Sequence, residues 1–290
     1  MGRVRKAVIP VAGMGTRFLP VTKAVPKELL PIGTKPTLQM VIEEAASSGL
    51  DEIILITSPQ KPEIENYLKT NTAYDRRLAQ LGKESLLADY HSLMKRVKIR
   101  TAAQKESKGL GHAILCAKKA VGDEAFIIIL PDVLIESQTP CCQQLIEAFE
   151  KTGCAINATE HTPREKIHLY GVYDIASSEG RLHKAKGVVE KPKAEEAPSD
   201  LAVVGRYLFP PELFSILEKT PPGKGGEIQL ADAMNTLAQK GRMYAYEYEG
   251  FQFDTGDPAG FLRANIFYGL RAYPDELKAL AKEVPDIFGA

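Results

Sequence analysis

The chain has 290 residues, long enough to bury roughly three quarters of its unfolded surface without disulfide or metal staples. Its 37 lysines and arginines balance 37 aspartates and glutamates, which argues against a broadly basic nucleic-acid binder while leaving room for a local cationic pocket. No apolar run approaches the ~20 residues of a membrane span, the start of the chain carries neither a secretory signal nor an acylation motif, and Cys116, Cys141, Cys142 and Cys154 have neither zinc-ligand nor paired secretory spacing. A cytoplasmic protein with no membrane and no nucleic-acid partner is therefore expected.

Strand-like and helix-like segments alternate from the start. Lys6–Val11 is a short apolar strand ending in a glycine-containing loop. Thr37–Ser48 places Leu38, Val41, Ile42 and Ala45 on one helical face and is closed by Gly49. Glu52–Thr57 is a buried strand, Pro62–Leu68 a short helix, Val97–Thr101 a strand, Gly111–Ala120 a helix and Ala125–Leu130 the most apolar strand. Pro140–Lys151 continues as a helix and Cys154–Thr159 as a strand. This spacing predicts βαβ units, hence a mostly parallel sheet with helices on both faces.

The second half reads differently. Tyr170–Ile175, Gly187–Glu190, Ala202–Phe209 and Met243–Glu249 are strands joined by short loops, and the charged, proline-containing Lys191–Asp200 is a surface loop. Glu227–Gln239 is a helix, and Phe261–Arg271 and Asp275–Lys282 are terminal helices. A single domain over 1–290 is expected, with a first half to about 135, a second half over 136–265 and C-terminal helices over 258–290.

Ala12-Gly13-Met14-Gly15-Thr16-Arg17 directly follows the first strand. Glycines let backbone N–H groups converge on an anion, and Arg17 supplies a bidentate phosphate partner. The third glycine of a dinucleotide-binding loop is missing, since residue 18 is Phe18, and no Gly-Lys-Ser/Thr follows. On these residues alone a phosphate cradle and a plain tight turn stay equally open. Pro20, Pro26 and Pro31 preclude an α-helix through the next stretch and hold it extended and stiff, presenting Lys23 and Lys27 beside the glycine loop.

The run Gly13-x-Gly15-Thr16-Arg17, followed by Pro20-x-Thr22-Lys23-x-x-Pro26-Lys27, resembles the signature of the sugar-1-phosphate nucleotidylyltransferases. Gly226-Glu227-Ile228-Gln229-Leu230-Ala231-Asp232-Ala233 is similar to the form of its helix in the branch that uses UTP and glucose 1-phosphate. Matching segments run from about residue 5 to residue 270.

The resemblance implies a Rossmann-like three-layer α/β/α nucleotidyltransferase fold with a mostly parallel mixed central sheet, Mg²⁺ as cofactor, UTP and glucose 1-phosphate as partners, and a homo-oligomer, dimer or tetramer. Ala12, Gly13, Gly15, Thr16, Gln104 and Gly109 would then bind the nucleotide, with Arg17 and Lys27 neutralising phosphate charge. Asp132, just past the Ala125–Leu130 strand, and Asp254, in Phe253-Asp254-Thr255-Gly256, would share the Mg²⁺. Gly171, Glu190, Lys191 and Gly205 would form the sugar-phosphate site, Lys191 also acting in catalysis.

Each of these residues has a plainer reading: a turn aspartate, an exposed loop glutamine, a bulge glycine at Gly205. A dTTP-dependent thymidylyltransferase and a non-catalytic nucleotide-sugar sensor on the same fold remain alternatives. Two stretches depart from the family pattern, Ser58-Pro59-Gln60-Lys61 where a Gly-Arg-x-Lys-like run is expected and Thr34 where an acidic residue is expected.

Overall fold

The computed structural model describes residues 2–284 around one nine-stranded sheet. In chain order the strands are β1 (Lys6–Pro10), β2 (Glu52–Thr57), β3 (Lys98–Ala103), β4 (Phe126–Ile129), β5 (Ala155–His161), β6 (Gly171–Glu179), β7 (Leu182–Glu190), β8 (Leu201–Phe209) and β9 (Met243–Glu247). Across the sheet they lie in the order β3-β2-β1-β4-β8-β5-β9-β7-β6. The first four pair in parallel. Strand β8 enters antiparallel to both β4 and β5, β9 lies parallel to β5, and β7 runs antiparallel to β9 and β6. The sheet is mixed, as expected, but not mostly parallel: among the described residues four of its pairings are parallel, three of them in the first half, and five are antiparallel, because β5 to β8 follow one another through short loops instead of crossover helices.

Two hydrophobic layers flank it. Ile53 and Leu55 face one and Ile54 and Ile56 the other, as the two-residue period of a strand requires. Helices cover both faces, so the middle of β2 is apolar at every position. One layer packs against helices Thr37–Ser47, Cys141–Thr152 and Pro258–Ala272, the other against Gly109–Cys116, Glu212–Leu217 and Leu230–Gln239. Leu38, Val41, Ile42 and Ala45 are the buried face of the first of these helices. The three-layer α/β/α arrangement follows. Among the described residues no helix is long and apolar enough to cross a membrane.

Several segments differ from their expected form. The proline-rich stretch is not extended; it folds as three tight 3-10 turns, Thr16–Phe18, Val21–Lys23 and Lys27–Leu29. The prolines bar an α-helix, but a 3-10 turn accepts their fixed φ at its start. Helices Thr72–Gln80 and Ala88–Arg96 went unanticipated because they bury almost nothing, Leu93 alone. The expected Gly111–Ala120 helix starts at Gly109, stops at Cys116 and resumes over Lys118–Val121. The expected Glu227–Gln239 helix starts only at Leu230, after a residue in extended conformation. Terminal helices span Pro258–Ala272 and Pro274–Glu283, and the part of the expected C-terminal region over 285–290 lies outside the described residues.

Candidate active site

The parallel strands end at one edge, where β1 feeds the glycine loop, β2 the Ser58–Lys61 loop and β4 the turn that carries Asp132. Past that turn, Val133–Glu136 pairs antiparallel with Phe251–Asp254, and the register sets Val133 opposite Asp254. Thr255 then closes the arrangement: its N–H and hydroxyl both donate to the Asp132 carbonyl, at 2.6 and 2.9 Å. Helix Pro258–Ala272 begins immediately beyond, capped by Asp257, which accepts from the N–H groups of Ala259 and Gly260.

The two carboxylates converge. A Cβ placed on Gly256 would sit 2.9 Å from Asp132 Oδ2 and 3.0 Å from Asp254 Oδ1, so any larger residue would press on both carboxylates. Lys27 Nζ donates to Asp132 Oδ2 at 2.6 Å. Burial alone would lower the Lys27 amine, but the Asp132 charge and hydrogen bond outweigh it and the amine titrates above its ordinary value. Asp254 is pushed up, first by burial and further by the Asp132 charge, against the lowering effect of a hydrogen bond from Gly256 N–H. No cluster of three or more His, Cys, Asp or Glu side chains suited to a metal occurs among the described residues. Two carboxylates aimed at one spot suit a small divalent cation that takes its other oxygens from phosphate and water.

Two cavities meet at Asp132. One, of about 280 Å³, is lined by Ala12, Gly13, Lys27, Gln104, Gly109 and Asp132. The other, of about 260 Å³, is lined by Arg17, Asp132, Gly171, Glu190, Gly205 and Asp254. Leu110 and Leu130 also belong to both walls. In the first cavity a Cβ on Gly13 would meet nothing within 4 Å, so the protein's own packing does not demand glycine there. Gln104 Nε2 donates to Gly109 O at 3.2 Å and lies 3.1 Å from His112 Nδ1, which orients the amide and leaves its carbonyl end to accept. In the second cavity Gly171 pairs with Glu190 across β6 and β7, and a Cβ on it would sit 3.2 Å from Glu190 Oε2. Gly205 lies where the β8–β5 register slips, and a Cβ on it would press on Leu130 and Val133 at 2.9 Å; it is both an irregularity in the strand and a lining residue.

Three expected site residues line neither cavity. Gly15, at φ 66°, backs onto the Lys27 stem, and a Cβ on it would sit 3.2 Å from the Lys27 Cβ. Thr16 opens a 3-10 turn. Lys191 stands at the rim with its Nζ 3.8 Å from Glu190 Oε1 and a left-handed backbone at φ 47°, the only such residue other than glycine among the described residues. Arg17 faces the second cavity rather than the first, reaching Gly256 O at 3.4 Å.

Sequence reasoning missed the groups behind these residues. Ser107 lines the first cavity, and Tyr170, Gln229 and Gln252 line the second. Lys61 reaches Glu28 Oε2 at 2.9 Å and Val11 O at 3.0 Å, tying the glycine loop to the Lys27 turn. Burial raises Glu28 despite the opposing charge of Lys61. Arg206 pairs with Glu44 in the interior. An arginine inside the apolar run of β8 was the available signal, because a buried charge demands a partner.

Fold and site together define an α/β enzyme in which two cavities meet at a pair of converging carboxylates. A profile of the Nucleotidyl transferase family matches residues 6–269, and the chain belongs to that family. It is 44% identical over 271 residues to the UTP–glucose-1-phosphate uridylyltransferase of Bacillus subtilis, covering 93% of each chain. Among solved structures, UTP-bound UGPase from Acinetobacter baumannii superimposes with a TM-score of 0.89 at 38% identity, over 97% of this chain and 99% of the other. UDP-glucose pyrophosphorylase complexed with UDP-glucose superimposes with a TM-score of 0.84 at 37% identity, over 92% and 99%.

Proposed function

We propose that this chain transfers the uridylyl group of UTP to α-D-glucose 1-phosphate, releasing pyrophosphate. The observation that carries the reading is the meeting of two cavities at Asp132, one of them entered by a glycine loop and the other edged by Glu190 and Arg17. The first half of the chain supplies the nucleotide side and the segment over 136–265 most of the sugar-phosphate side.

An oxygen of the sugar phosphate, already anionic at neutral pH, attacks the α-phosphorus of UTP. The new P–O bond forms as the bond to the departing pyrophosphate breaks, so no general base is required. The difficulty is holding two polyanions in line, and positioning with charge neutralisation overcomes it. Asp132 and Asp254 would hold a Mg²⁺ that neutralises phosphate charge when bound. Lys27 balances the Asp132 charge in the free protein and faces the phosphates of bound UTP. Arg17 and Lys191 draw the sugar phosphate toward the same point, and Glu190 accepts hydrogen bonds from sugar hydroxyls. Gln104 offers its carbonyl to the N3–H of uracil, while Ala12, Gly13, Gly15, Thr16 and Gly109 shape the loop around the nucleotide.

UTP is a metabolite of the cell interior, and the four cysteines are unpaired, which suits a reducing compartment; a cytoplasmic site follows. Self-association into a dimer or tetramer belongs to the same reading by family resemblance, and sedimentation equilibrium tests it. For the site itself, Asp132→Ala should retain the parent circular-dichroism spectrum and lose turnover. Near-normal rates in that variant at saturating Mg²⁺ would overturn the assignment.

A further inference from the structure

Arg206 is the largest fully buried side chain among the described residues, set in the middle of β8 with no exposed surface. All five of its N–H donors are used. Nε donates to the Glu44 carboxylate at 3.1 Å, and Nη2 to Glu44 Oε2 at 2.7 Å and to Val133 O at 2.8 Å. Nη1 donates to Gly205 O at 2.9 Å and to Leu130 O at 3.3 Å. Glu44, on helix Thr37–Ser47, accepts in addition from Cys142 N–H at 3.2 Å.

Such a pair is a poor device for stability. Removing two charges from water is costly, and well-packed apolar side chains of similar volume commonly serve a core as well or better. What the guanidinium does that a methionine cannot is hold carbonyl oxygens. Two of the carbonyls it holds belong to Leu130 and Val133, which bracket Asp132. The carbonyl of Asp132 itself is held from the other side by Thr255. Every carbonyl from 130 to 133 except that of Pro131 is thus fixed by a donor outside the turn.

We propose that Arg206, held in place by Glu44, is a positioning residue that fixes the Asp132 turn so that the Asp132 and Asp254 carboxylates converge on one divalent cation. The proposal rests on the reading of Asp132 as a metal ligand. Groups behind metal ligands commonly change affinity by about ten- to a hundredfold when removed.

The test uses the full chain, with Mn²⁺ binding followed by electron paramagnetic resonance alongside steady-state kinetics. The double variant Glu44→Met/Arg206→Met removes the charge pair while keeping the volume. Arg206→Lys keeps a charge opposite Glu44 with too few donors for both carbonyls. In each, a folded protein is expected to bind Mn²⁺ about ten- to a hundredfold more weakly and to turn over more slowly, with KM for UTP unchanged. Parent-like Mn²⁺ affinity and turnover in a folded double variant would overturn the proposal. Should the double variant fail to fold, Arg206→Lys decides on the same two readouts. Asp132→Asn separates the two levels of the argument. If Mn²⁺ binding falls in Asp132→Asn but not in Arg206→Lys, the positioning role alone is wrong; if it does not fall in Asp132→Asn, the ligand reading fails and takes this proposal with it.

Discussion

Glu28 and Lys61 form a buried ion pair at 2.9 Å, one residue along from the lysine that faces Asp132. Lys61 also holds Val11 O, so one ammonium joins the exit of β1, the exit of β2 and the Lys27 turn. Lys61→Met leaves the Glu28 carboxylate without its partner and should cost ~3–5 kcal/mol of stability near neutral pH. Glu28 already titrates above its ordinary value because of burial. A raised carboxyl contributes stability that is present below its unfolded pKa and lost as pH rises through the folded one. The deficit of Lys61→Met should therefore shrink as pH falls toward the ordinary carboxylate range, and Glu28→Gln/Lys61→Met should recover most of it. Denaturant unfolding between pH 5 and 8 checks both.

Gly13 faces the first cavity with open space where a Cβ would stand. Gly13→Ala should fold with the parent melting temperature, because nothing in the protein is displaced. It should bind UTP more weakly, by ~1–3 kcal/mol, as the methyl group intrudes where the phosphates approach the backbone. Calorimetric titration of UTP measures this, and unchanged affinity would mean that the loop does not touch the nucleotide.

Asp254 carries the cost of two converging carboxylates. Its raised pKa, caused mainly by burial, means a contribution to stability that is lost as pH rises from about 4. Asp254→Asn removes that loss, so the metal-free variant should melt at or above the parent at pH 7 and alike near pH 4. The same change should lower kcat about 10²- to 10³-fold and abolish the rise in melting temperature that a divalent cation gives the parent. Scanning calorimetry with and without Mg²⁺ reads both effects.

Lys191 holds a left-handed conformation that glycine adopts freely and other residues resist. Lys191→Gly should be more stable than Lys191→Ala by ~1 kcal/mol. Both should lose about 10- to 100-fold in kcat/KM for glucose 1-phosphate, the worth of a charge-assisted hydrogen bond. Equal stability of the two variants would show that the backbone at 191 is unstrained.

The first half of the fold was legible because three of its four strands, β1, β2 and β4, are buried on both faces. Glu52–Thr57 was read to the residue, since an unbroken β-branched run has few other uses. The hairpin of β6 and β7 was read short at its turn end alone, where positions such as Ser177, Ser178 and Lys186 lie toward solvent and carry no apolar signal. Helix Thr72–Gln80 buries nothing, so periodicity could not reveal it. In the site, residues that meet ligand carry recognisable motifs, and the structure brings Asp132 and Asp254 together from segments more than a hundred residues apart. The groups behind them, Lys61, Thr255 and the Glu44–Arg206 pair, have no local pattern, because each acts through a contact between segments distant in the sequence.

Pyrophosphate release in the presence of glucose 1-phosphate and Mg²⁺, with UTP, dTTP, ATP, CTP and GTP supplied in turn, tests the central claim most directly. Uracil and thymine differ by one methyl group, worth ~1–3 kcal/mol in a pocket, so dTTP is the demanding competitor. The account predicts fast release with UTP, slower release with dTTP and little with the other three. Preference for dTTP would contradict the assigned specificity. Silence with all five nucleotides, in a folded protein that still binds UTP, would contradict the assigned activity itself.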